Sequence, residues 1–96
     1  MGSYALSEEA DADITHIARA SIDQWGFARA ELYILSLHAA FERLVDFPDM
    51  GRDAGHIRAG TMRLESAHHV VFYRKSSIGI LILRVLHQRM DFKRHL

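Results

Sequence analysis

Cysteine is missing from all 96 residues, which excludes disulfides and thiolate metal sites and fits a reducing, cytoplasmic setting. No apolar run approaches the roughly 20 residues that cross a bilayer, so no membrane-spanning segment is expected. The amino terminus lacks a basic stretch followed by an apolar one, so no signal peptide is expected. Leu6 stands where a myristoylation pattern needs Ser or Thr. A glycine-rich phosphate loop, an HExxH pair and a nucleophile elbow are all missing; no cofactor and no metal site are expected. Internal repeats, linkers and low-complexity segments are missing too. One domain spanning residues 1–96 is expected, with a core small enough that a stabilising partner fits.

The chain does hold an uneven distribution of charge. Its formal net charge is zero. Residues 1–50 carry nine acids against three bases, and residues 51–96 carry three acids against nine bases, a split of −6 and +6. Five of the seven histidines also fall in the second half. Such a division suits an acidic or nucleic-acid partner for the C-terminal half, or pairing between the two halves.

Tyr4-Ala5-Leu6 suits a short strand. Ser7 then offers an N-cap, and Glu8 and Glu9 occupy the first turn, where carboxylates favour the helix dipole. Ala10, Ile14, Ile17, Ala18, Ser21 and Trp25 form one helical face up to the stop at Gly26. A second helix is predicted from about Phe27 to Phe47. Its stripe is Ala30, Ile34, Leu37, Phe41 and Leu44, widened by Ala28, Leu32, Leu35 and Ala39, and Pro48 ends it. Residues 48–60 read as a loop. Strands follow at about Met62–Ser66, His69–Lys75 and Ile80–His87, joined by tight turns and therefore antiparallel. The fold class is α+β: an N-terminal strand, then an antiparallel helical hairpin packed on one face of a sheet built with three further C-terminal strands.

The main candidate site is the end of the last strand. The segment is apolar on both faces from Ile80 to Leu83, then turns to Arg84, His87, Gln88 and Arg89. Arg84 and His87, three apart, face opposite sides of a regular strand. Arg63, Arg74 and Lys75 on neighbouring strands could add charge. Arginine forks and an imidazole suit phosphate binding and proton movement; solvated arginines with one structural ion pair are the alternative. His68-His69 reads as a turn rather than a metal pair, because adjacent strand residues diverge and no carboxylate is suitably spaced. His16 and His38 read as solitary helix histidines at the surface or core edge. Trp25 and Phe27 read as anchors of the interhelical turn. The tail from Asp91 to Leu96 reads as short, basic and free of the core.

Six fragments, in order, resemble a known family. They are Tyr4-Ala5-Leu6-Ser7 with Ala10 and Asp13-Ile14; Gln24-Trp25-Gly26 with Ala30 and Tyr33; Pro48-Asp49-Met50-Gly51-Arg52; Ile57-Arg58-Ala59-Gly60 with Arg63; His69 through Arg74; and Arg84 through Asp91. Together they resemble the ParE toxins of the ParE/RelE superfamily, the toxic halves of bacterial ParDE toxin–antitoxin modules, and the resemblance runs nearly end to end.

That resemblance implies a cytoplasmic toxin that inhibits DNA gyrase, blocks replication, and is neutralised by a ParD antitoxin. It implies action by binding rather than by the chain's own covalent chemistry, with nucleic acid met only through gyrase. On this reading Arg84, His87, Arg89, Lys93 and Arg94 contact the target. Ile34, Leu37 and Phe41 receive an amphipathic antitoxin helix, and Arg58, Arg63 and Arg74 meet its acids. RelE-like relatives cut mRNA in the ribosome, and Arg63, Arg84 and His87 fall near their catalytic positions. The proton-transferring aromatic that those relatives carry near the C-terminus is replaced by Phe92 or is missing, and the loop before Arg63 lacks lysine. A binding module with weak or lost toxicity is the third alternative.

Overall fold

The computed structural model describes residues 2–96. Strand β1 (Ser3–Leu6) leads directly into helix α1 (Glu8–Trp25) through Ser7. The Ser7 amide donates to the Ile82 carbonyl at 2.9 Å. Its hydroxyl donates to the Leu83 carbonyl at 2.7 Å and accepts the Ala10 amide at 3.0 Å. One residue thus ends a strand and caps a helix, satisfying a donor that the first helical turn would leave orphaned. Gly26, at φ 86°, separates α1 from α2 (Phe27–Asp46). Its amide closes α1 on Ile22 and its carbonyl opens α2 on Ala30, a reversal that a positive φ permits without a Cβ penalty.

After α2 come β2 (Arg52–Asp53), β3 (Met62–Ser66), β4 (His69–Ser76), β5 (Gly79–His87) and a short helix α3 (Phe92–His95). The sheet order is β1-β5-β4-β3-β2. β1 runs parallel to β5, and the other neighbours are antiparallel. The expected α+β hairpin-on-sheet arrangement is present, with the sheet mixed and five-stranded. β2 lies inside the stretch expected to be loop. It has two residues, both polar, so no periodicity could reveal it.

The main core lies between the hairpin and the sheet. Ala10, Ile14 and Ile17 of α1 and Leu37, Phe41 and Leu44 of α2 meet Val71, Tyr73, Ile80, Ile82 and Val85. Each large side chain sealed here contributes about 1.5–3 kcal/mol. Ala28, Leu32, Leu35 and Ala39, expected to widen the α2 stripe, are exposed, and Ala40 is buried instead. With α1 on one flank and the sheet below, α2 buries a narrow band and leaves an apolar outer face.

A smaller core sits on the other side of the sheet. Val70, Phe72 and Leu86 are covered by Ala54 and Ile57 from the β2–β3 segment and by Phe92 and Leu96 from the C-terminus. The Phe72 and Phe92 rings meet edge-on at 5.1 Å between centroids, a favoured aromatic geometry. This corrects the reading of residues 91–96 as a tail free of the core. Removing the chain beyond Met90 would strip one side of a folded cluster.

The sheet register shifts once. Tyr73 pairs with Ile82 but Phe72 pairs with Arg84, leaving Leu83 as an extra residue. This β-bulge resets the side-chain alternation of β5. Ile80 and Ile82 face the hairpin before it, and Val85 faces the hairpin after it. Leu86 is thereby sent to the smaller core, and His87 to the hairpin side opposite His69.

Candidate functional site

Two surfaces collect the chemistry-bearing residues. The first is a groove of about 450 Å³ where α1 meets the ends of β4 and β5. Ile17 and Ala20 form part of its wall, Trp25 closes one end, and His68, His69 and His87 line the sheet side. Trp25 packs edge-on against Tyr33, with centroids 5.7 Å apart. The Tyr33 hydroxyl accepts the His68 amide at 3.3 Å and lies 2.6 Å from His69 Nδ1. The His69 and His87 rings meet at 5.3 Å, and His87 Nδ1 accepts the Arg89 amide at 3.1 Å.

Burial, followed by the neighbouring His87 and His68 and opposed by Asp13, pushes the His69 pKa down to about 4. His69 is therefore neutral when folded at pH 6 and partly protonated when unfolded. The sign follows from linkage: its contribution is fully present above the ordinary imidazole pKa of about 6.5 and is lost as pH falls toward 4. Because the ring is only half buried, solvent screening reduces the effect to about 1–2 kcal/mol. Urea midpoints measured at pH 7.5 and pH 5 should fall between those values in the parent chain. They should fall by distinctly less in His69→Asn, whose amide can still hydrogen-bond to Tyr33. Equal falls in both proteins would exclude His69 as the source.

The second surface is the outer side of the sheet with its C-terminal cover. Arg84 is not free there. Its guanidinium donates to both Asp13 carboxylate oxygens, Nε at 2.8 Å and Nη2 at 2.9 Å, and Nη1 donates to the His95 carbonyl at 2.6 Å. Asp13 also accepts the Val85 amide at 2.9 Å, taking over the β5 edge beyond the reach of β1. Asp13 pushes the Arg84 pKa up further, chiefly through the side-chain hydrogen bonds. Arg63 is also held. It donates to Glu65 at 3.0 Å and lies 5.2 Å from the Phe92 ring centroid and 5.9 Å from that of Phe72, and its Nε is buried without a hydrogen-bond partner.

The remaining bases are placed differently. Arg58, Arg74, Arg89, Lys93 and Arg94 are exposed. Arg94 lies 3.7 Å from Asp91 on open surface, where an ion pair contributes little. Arg89 lines the imidazole groove; Lys93 and Arg94 sit on α3. His87, on the hairpin side, is brought together with His69 rather than with Arg63 and Arg84.

Of the residues expected to receive an apolar helix, Leu37 and Phe41 are 0% exposed. They hold α2 to the sheet and cannot touch a partner, which corrects that expectation. Ile34 is half buried and lines a shallow depression with Ile22, Phe27, Ala30 and Leu35. Phe27 and Leu32 are each 68% exposed and Leu35 is 57% exposed. The outward face of the hairpin, rather than the inward stripe, is the unpartnered apolar surface.

Sequence reasoning read the His68-His69 pair as turn residues; His68 is in the turn, but His69 opens β4, and the union of the pair with His87, Tyr33 and Trp25 was missed. The signal was the pairing of two strand ends that each carry histidine. Among the described residues, no group of three or more His, Cys, Asp or Glu side chains is arranged to hold a metal ion. No helix of those residues is long and apolar enough to cross a membrane.

A family model for the ParE toxin of the type II toxin–antitoxin system parDE matches residues 4–92. Toxin ParE1 of Caulobacter vibrioides is 41% identical over 96 residues, covering 100% of this chain and 99% of that protein. Toxin ParE1 of Mycobacterium tuberculosis is 39% identical over 94 residues, covering 97% and 96%. A solved chromosomal ParDE toxin–antitoxin system from P. aeruginosa superposes with a TM-score of 0.77 at 22% identity, covering 91% of this chain and 96% of that one, and so shares the fold. Matched along nearly its whole length, the chain belongs to the ParE toxin family of type II ParDE toxin–antitoxin systems.

Proposed function

We propose that this toxin arrests bacterial growth by binding DNA gyrase in the cytoplasm and blocking replication, without covalent chemistry of its own. The observation that carries the reading is that His87 lies on the opposite face of the sheet from Arg63 and Arg84, which are both engaged by other groups. Arg84 is held by Asp13 and the His95 carbonyl. Arg63 is packed against Phe72 and Phe92, and His87 lies across the sheet beside His69. Phe92 has no proton to transfer. A general acid–base pair needs both groups within reach of one reacting atom. The exposed bases Arg89, Lys93 and Arg94 can instead make salt-sensitive contacts with a gyrase–DNA complex.

Neutralisation belongs to a ParD-like antitoxin. An amphipathic segment laid across Phe27, Leu32 and Leu35 would cover the apolar hairpin face. Its acids would meet the exposed Arg58 or Arg74.

The test is to induce the chain alone in bacteria. Gyrase-dependent DNA cleavage and growth arrest are expected, with intact mRNA. Arg89→Ala, Lys93→Ala and Arg94→Ala combined should keep the circular dichroism spectrum and antitoxin co-purification while DNA cleavage falls about tenfold or more, as loss of several phosphate contacts requires. Ribosome-dependent mRNA cleavage abolished by His87→Ala would overturn the reading.

A further inference from the structure

We propose that the imidazole groove between α1 and the ends of β4 and β5 is a docking site for a partner protein segment that brings a carboxylate beside a large apolar side chain. The argument begins with hydrogen-bond bookkeeping. Tyr33 accepts the His68 amide and is hydrogen-bonded to His69 Nδ1. His87 Nδ1 accepts the Arg89 amide. An imidazole whose Nδ1 is an acceptor carries its hydrogen on Nε2. His87 therefore has an Nε2–H donor to offer, and that Nε2 has no hydrogen-bond partner among the described residues.

The lining sharpens the choice of ligand. Ile17, Ala20, Trp25 and Met90 give it an apolar body, and Gln24 and Gln88 add amides. No carboxylate lines it among the described residues. With Arg89 and the His87 Nε2–H presented and no carboxylate among the lining residues described, the surface complements an anionic acceptor. Arg89 is its single permanent cation, too little charge for a nucleic-acid backbone, which is held by several Lys or Arg contacts. A carboxylate needs two or three donors, and the apolar body fits the side chain next to it. A volume of about 450 Å³ accommodates a few residues of an extended segment, and the groove is distinct from the hairpin face of Phe27, Leu32 and Leu35.

Trp25 is the chain's only tryptophan, so its fluorescence reports on the groove directly. The probe is the blocked tripeptide Ac-Leu-Glu-Leu-NH2 at pH 7.5, compared with its Gln isostere and with inorganic phosphate. The Glu peptide should change Trp25 emission and shift the His69 and His87 imidazole nitrogen resonances, binding about tenfold or more tightly than the Gln peptide. That ratio is what one charge-assisted hydrogen bond supplies. Two variants separate docking from folding. His87→Asn retains an acceptor for the Arg89 amide but has nothing at Nε2, and it should lose the preference for Glu. His87→Gln places an amide donor near Nε2 and should keep part of it. Equal binding of the two peptides, no binding of either, or phosphate competing as well as the Glu peptide would each overturn the proposal. So would a His87→Asn protein that unfolds normally and keeps the preference.

Discussion

Asp13→Ala should lower the free energy of unfolding by about 3 kcal/mol. The carboxylate accepts three hydrogen bonds, two from Arg84 and one from the Val85 amide. Its side chain is 13% exposed and that of Arg84 is 20% exposed. Removing it leaves a charge and a backbone donor without their partner at a partly dehydrated strand edge, and breaking such a pair costs far more than losing a surface one. Asp13→Asn should be less damaging, because one amide oxygen can still accept. The check is a double-mutant cycle with Arg84→Met by urea unfolding. A coupling energy below about 0.5 kcal/mol would show that the pair is ornamental. The result bears on function as well. Toxicity lost on changing Arg84 should track the loss of folded protein, whereas toxicity lost on changing Arg89, Lys93 and Arg94 should not.

The second large effect belongs to Gly79. Its φ is 139°, and a Cβ placed there would lie 2.1 Å from the Ser3 carbonyl oxygen and 2.8 Å from the Ser3 nitrogen. Both obstacles are backbone of the strand that pairs with it. Gly79→Ala therefore combines backbone strain with a clash that only displacement of β1 relieves, for a predicted loss of about 3–5 kcal/mol. Amide exchange of Ser3–Leu6 should rise most, since the first pairing contact of β1 is the one pushed apart. If the melting temperature and the exchange of those amides are unchanged, the close approach of the two strands is not as described.

What the sequence revealed and what it hid follow from the range of the forces involved. Ser7, Trp25-Gly26 and Pro48 announced the helix ends because capping and φ restriction act within a few residues. The turns at Ala67 and Ser77 were legible for the same reason. The duty of the α2 stripe was ambiguous: Leu37 and Phe41 carry the same periodic signal whether they meet the chain's own sheet or a partner's helix, and only their burial decides. Phe92 and Leu96 gave no periodic signal, because they pack across the sheet on Val70 and Phe72. The bulge at Leu83 was hidden by a run apolar on both faces, so neither face of β5 could be assigned before its partners were known. The basic cluster after β5 was visible as composition. That Arg84 is occupied and His87 joins another histidine depends on contacts far away in the chain.

The bonds of Ser7 to Leu83 and of Asp13 to Arg84 span 76 and 71 residues. Translation delivers β1 and α1 well before β5, so β1 waits as an unpaired edge until its neighbour has been made. Ordering across such separations is slow, because most of the loop-closure entropy is lost before any contact rewards it. The helical hairpin can form while synthesis continues, but the joint between α1 and β5 cannot. A ribosome stalled before residue 79 would hold helices without a finished toxin. Any partner that reads the completed surface meets this protein only after β5 has been made, and timing in the cell is thereby written into strand order.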